Sequence, residues 1–106
     1  MTLDEDLLEK ILVRVAAVCN PAKVILFGSF ATGSARPDSD VDLLVLLQEV
    51  ADPRAEGLRI RDSLQGLGVP FDIIVMSLSR FEETKHVVGG IAFPAYKYGR
   101  IVHEAA

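Results

Sequence analysis

Apolar residues fall in two rhythms along this chain. Leu3, Leu7, Leu8, Ile11, Leu12, Val15 and Val18 recur at helical spacing, predicting an amphipathic helix over residues 3–19, which Asn20-Pro21 ends. The rhythm then tightens into short, nearly unbroken apolar runs. Residues 23–27 predict one strand and residues 40–47 a second, buried on both faces. Residues 30–34 predict a short helical turn stopped by Gly33, and residues 36–39 a loop. Pro53 suits the first turn of a second helix over residues 53–66, whose Leu58, Ile60 and Leu64 only partly form a stripe, so it reads as peripheral. Gly66 and Gly68 close it.

A third strand is predicted over residues 69–76, then a helix capped by Ser77 or Ser79, running to Val88 and broken at Gly89-Gly90. Residues 92–98 are helical or irregular, and residues 99–104 predict a closing edge strand. The order is that of an α/β domain with a small mixed β-sheet and helices. There is no repeat or linker, so residues 1–106 read as a single domain.

Composition narrows the function classes. No apolar stretch is long enough to cross a bilayer, and the acidic start Met-Thr-Leu-Asp-Glu-Asp is unlike a signal peptide. Cys19 is the one cysteine, which excludes an internal disulfide and suits a cytoplasmic setting; it reads as a small hydrophobe near a helix end. The net charge of −4 and eleven dispersed Lys and Arg argue against direct polynucleotide binding.

The chemistry concentrates between Phe27 and Leu47, in FGSFATGSARPDSDVDLLVLL. Asp40 and Asp42 flank one valine where the second long strand begins. Side chains two apart on a strand share a face, so both carboxylates address one spot. Two anions held together call for a cation between them. Hard oxygen ligation of this kind is what Mg²⁺ takes, commonly shared with substrate phosphates. Gly28 lets backbone approach a ligand closely, and Ser29 opens a turn whose N–H groups and hydroxyl can hold phosphate. The two halves together describe a site for a nucleotide triphosphate and a metal.

The spacing Gly-Ser-x10-Asp-x-Asp resembles the signature of the DNA polymerase beta-type nucleotidyltransferase superfamily, and within it the minimal nucleotidyltransferase (MNT) group, often paired with a HEPN-domain protein. The resemblance covers nearly the whole chain and implies a polymerase beta palm-like core. It also implies a third carboxylate on a later strand, and Asp72, within Val69-Pro70-Phe71-Asp72-Ile73-Ile74-Val75-Met76, is the one position that suits. The alternative for Asp72 is an exposed strand start after Pro70, facing water.

The activity implied is transfer of a nucleotide monophosphate, AMP from ATP, onto an acceptor hydroxyl with one or two Mg²⁺ ions. Asp40 and Asp42 would bridge the metals and Asp72 would hold the one beside the attacking hydroxyl. Gly28 and Ser29 would hold the β- and γ-phosphates. Many members carry Arg where this chain has Thr32, and Arg36 is the candidate replacement; Ser39 would support the loop from local backbone N–H groups. His86 and His103 read as surface residues.

By resemblance the acceptor would be a HEPN toxin, and the chain its antitoxin. The alternatives are a non-catalytic binding antitoxin of the same fold and nucleotidylation of a small molecule. A phosphatase using Asp-x-Asp is discounted, because there the pair follows a strand rather than beginning one. Phe93, Pro94, Tyr96 and Tyr98 are read either as ordinary core or as an interface for a HEPN partner or for a homodimer.

Overall fold

The computed structural model describes residues 2–105. Asp4 caps the first helix, α1 (Glu5–Val18), accepting from the Asp6 N–H, and Leu8, Ile11 and Val15 form its buried stripe. Strand β1 (Lys23–Phe27) runs into the one-turn helix α2 (Ser29–Thr32), which Gly33 ends in the left-handed conformation. Strand β2 (Val41–Leu47) follows, then α3 (Pro53–Ser63), with Asp52 accepting from the Ala55 N–H as its cap. Strand β3 (Phe71–Ser77) leads into α4 (Leu78–Thr84), capped by Ser77 through the Arg80 N–H. Helix α5 (Ala92–Tyr98) and strand β4 (Arg100–Glu104) follow.

The four strands form one mixed sheet in the order β3-β2-β1-β4. β1 is antiparallel to β2 and β4, whereas β2 and β3 are parallel, with α3 as the crossover. Alternation along each strand divides the apolar side chains into two cores. Val24, Leu26, Val41, Leu43, Val45 and Val75 face α1 and α3. Ile25, Phe27, Leu44, Leu46 and Met76 face α4 and α5, meeting Phe81, Ala92 and Ala95. No described helix is long and apolar enough to cross a membrane.

Several predicted boundaries move: the first helix spans Glu5–Val18, and the second strand begins at Val41, leaving Asp40 just ahead of it. The second helix stops at Ser63, three residues early, because Leu64 turns in to fill the core, where it is fully buried. Ile60 is fully buried too, so this helix is part of the core rather than peripheral. The third strand begins at Phe71, since Pro70 has no N–H for a ladder and its carbonyl instead accepts from Val41. The helix after it ends at Thr84, short of Val88, where the Thr84 hydroxyl turns back onto the Arg80 carbonyl and Val87 and Val88 are exposed.

Candidate functional site

The site is built at the end of the sheet where β1 leaves and β2 and β3 begin. Register places Phe27 beside Asp42 and Asp42 beside Asp72. Paired residues of neighbouring strands project to the same face. Asp42 therefore shares the α4–α5 face with Leu44, and Asp72 shares it with Ile74 and Met76. The Val41 N–H donates to the Pro70 carbonyl at 2.9 Å, pinning the start of β2 to the start of β3. The parallel pairing of β2 with β3 brings Asp42 beside Asp72 at this end of the sheet, with Asp40 just before β2.

Asp42 is half-buried, while Asp40 and Asp72 are exposed. The exposed-start alternative thus describes Asp72 correctly, and Asp72 nonetheless stands beside Asp42. Burial raises the Asp42 carboxyl above its ordinary value, and the negative charges of Asp72 and then Asp40 raise it further. Such an uncompensated cluster is the electrostatic complement of a cation. Among the described residues no three His, Cys, Asp or Glu side chains are arranged to hold a metal ion by themselves. The donor set fits a hard cation that completes its shell from water and substrate oxygens, the habit of Mg²⁺.

Gly28 closes one side. Its φ of 72° lies in the left-handed region, and a Cβ there would stand 2.1 Å from Asp42 Oδ2. Position 28 therefore favours glycine for its conformation, and any side chain there would push the Asp42 carboxylate aside. The Gly28 carbonyl accepts from the Ala31 and Thr32 N–H groups, and the half-buried Ser29 starts the turn. Thr32 spends its hydroxyl locally, 2.9 Å from Ser34 Oγ.

The loop into β2 is held by Ser39. Its Oγ accepts from the Arg36 N–H at 2.8 Å, and its N–H donates to the Arg36 carbonyl at 3.0 Å. The Arg36 side chain is exposed on this loop and makes no ion pair among the described residues.

The other singled-out residues lie elsewhere. His86 packs edge-on against Tyr96, ring centres 5.0 Å apart, and His103 lies on β4 opposite Val24. Tyr96 and Tyr98 are 48% and 58% exposed, which rules out the ordinary-core reading for them. Cys19 caps α1, its thiol on the Val15 carbonyl, and burial raises its pKa. Arg54 and Arg61, which flank β3 beside Asp72, carry no signal in sequence, because the α3–β3 packing that brings them there is a tertiary fact.

Comparison with known proteins identifies the family and the fold. A family description, nucleotidyltransferase domain, matches residues 6–98. No curated protein sequence matches the chain. Among solved structures, the chain is similar to a toxin–antitoxin complex with AMP-PNP, with 17% identity and a TM-score of 0.69 over 92% of this chain and 73% of that one. It is also similar to a complex of a tri-AMPylated Shewanella oneidensis HEPN toxin with an MNT antitoxin, with 15% identity and a TM-score of 0.66 over 97% and 74%. A mutant MntA–HpeT toxin–antitoxin pair gives 17% identity and a TM-score of 0.65 over 97% and 75%. The carboxylates and the Gly-Ser turn fall inside the matched span: the chain belongs to the nucleotidyltransferase domain family.

Proposed function

We propose that this nucleotidyltransferase moves AMP from ATP onto a hydroxyl of a HEPN toxin in the cytoplasm, in a Mg²⁺-dependent reaction, and so acts as an antitoxin. The observation that carries the reading is the crowding of Asp42 by Asp72, Asp40 and the Gly28 backbone at one strand end. Structural neighbours bearing AMP-PNP or an AMPylated HEPN toxin support the choice of nucleotide and partner.

On this reading Asp40, Asp42 and Asp72 hold Mg²⁺, as one ion or two. Bound there, the metal supplies positive charge to the triphosphate and to the attacking oxygen. Gly28 and Ser29 hold the β- and γ-phosphates with the turn's backbone and hydroxyl, and Arg36 reaches them from the loop that Ser39 stiffens. Asp72, exposed on the acceptor side, takes the proton of the acceptor hydroxyl on a carboxylate oxygen. The acceptor oxygen bonds to the α-phosphorus as the bond from that phosphorus to pyrophosphate breaks. Most of the rate would come from positioning and charge. The exposed Tyr96 and Tyr98 suit a partner surface, for the toxin or for a second copy of the chain.

Thr32 favours one other reading, an antitoxin that masks its partner without catalysis. The test is incubation with labelled ATP, Mg²⁺ and the co-purifying partner, wild type beside Asp42→Asn. Label on the partner with the wild type alone is the expected result. A tight complex with no transfer from any of the four triphosphates, and a variant that still neutralises, would establish the masking reading instead.

A further inference from the structure

β3 is the outer strand of the sheet, and its far side has no strand beside it. The Val41-to-Pro70 bond fixes the phase of the parallel ladder. Residues 72, 74 and 76 therefore turn their N–H and C=O groups toward β2, and Phe71, Ile73 and Val75 turn theirs outward. No backbone hydrogen bond occupies those outward groups among the described residues. Gly57 brings α3 against this edge without a side chain: a Cβ there would lie 3.4 Å from the Ile73 carbonyl oxygen.

Between α3 and the edge runs a crevice of about 260 Å³, whose lining includes Arg54, Leu58, Arg61 and Asp72. Neither arginine has a carboxylate partner among the described residues, in a chain whose net charge is −4. Leu58 is 53% exposed beside them.

We propose that this edge docks the acceptor: an extended, acidic peptide segment adds to β3 as a fifth strand. The inference rests on the transferase reading above and specifies its acceptor. Alternation assigns the two faces of such a segment. Side chains on the α3 side meet Arg54 and Arg61, which calls for Asp or Glu. Side chains on the opposite side lie with Asp72, and a hydroxyl-bearing residue there sits beside the carboxylates. Main-chain bonds to residues 71, 73 and 75 supply affinity, and the arginines supply the charge preference.

The test uses ¹⁵N NMR of the full chain without nucleotide or metal. The probe is an eight-residue peptide alternating Glu with Val, one Val replaced by Tyr. The amides of Phe71, Ile73 and Val75 are expected to shift saturably and to exchange with solvent at least tenfold more slowly. N-methylation of alternate peptide nitrogens should weaken binding at least tenfold, with no change to the protein. Arg54→Glu/Arg61→Glu should reverse the preference toward a Lys–Val peptide.

Absence of shifts at millimolar peptide, shifts confined to another surface, or equal binding of the N-methylated peptide would each overturn the proposal. If the double variant misfolds, the N-methylation result decides. Edge binding without nucleotide transfer to any acceptor would sink the transferase reading and leave the docking edge standing. Transfer to a protein acceptor with no protection at 71, 73 and 75 would do the reverse.

Discussion

A Cβ at position 28 would meet Asp42 Oδ2 at 2.1 Å, on backbone with φ of 72°. Gly28→Ala should therefore lower stability by about 1–3 kcal/mol, the usual range for a forced conformation, and abolish transfer by displacing the carboxylate; thermal melts beside a labelled-ATP assay check both. The same carboxylate sets a pH dependence. Unfolded, Asp42 titrates near its ordinary value of 3.8; folded, burial and its acidic neighbours raise it. Between the two values the native state binds more protons, so this residue's contribution to stability is lost as pH rises through the folded pKa. Asp42→Asn, which never ionises, should melt a few degrees above wild type at pH 7 without metal, and the gain should vanish below pH 3.8. Equal melting at both pH values would contradict the electrostatic account. Sequence spacing already marked Asp40, Asp42 and Gly28. What it lacked was the contact between Gly28 and Asp42, which depends on β1 and β2 lying side by side.

Helix starts marked by a proline or a capping side chain were placed closely from the sequence, Pro53 opening α3 and Ser77 capping α4 as one of two candidates, and β1 matched residue for residue. Elements ended by packing were not. α3 has a weak stripe, so only the structure shows Ile60 and Leu64 buried beneath it. The parallel pairing of β2 and β3 was equally unreadable, since a buried apolar run looks the same in either direction. The junction between α5 and β4 is tight for a related reason. A Cβ on Gly99 would stand 2.3 Å from the Ala95 carbonyl oxygen and 2.7 Å from Ile25 Cγ2. Its backbone is ordinary, with φ of −79°, so crowding alone forbids a side chain. Gly99→Ala should loosen α5 from β1, seen as faster amide exchange across residues 92–104 with the α1–α3 side unchanged. Ser77→Ala should cost about 1 kcal/mol through the lost cap, read from urea unfolding.

The molecule as a whole hangs on the central strands. Leu43 and Leu44 are fully buried on opposite faces of β2, one in each core. Leu43→Ala should cost about 2–5 kcal/mol, a large part of the roughly 5–15 kcal/mol typical of a domain, and lower Tm by about 4–8 °C per kcal/mol. Fold class was legible from the order of elements. The two-sided core was not, because alternation shows that faces exist and not what covers them. The pairing of Lys23 with Glu104 joins the first strand to the last. A growing chain can therefore lay down β1, β2 and β3, with all three carboxylates, well before β4 exists to seal the sheet. Until Glu104 emerges, β1 has an open side of its own, and the last strand must find it across nearly the full length of the chain. Synthesis would thus complete the carboxylate end of the sheet first, and a chain stalled before β4 would offer its open β1 edge to a neighbour's β4.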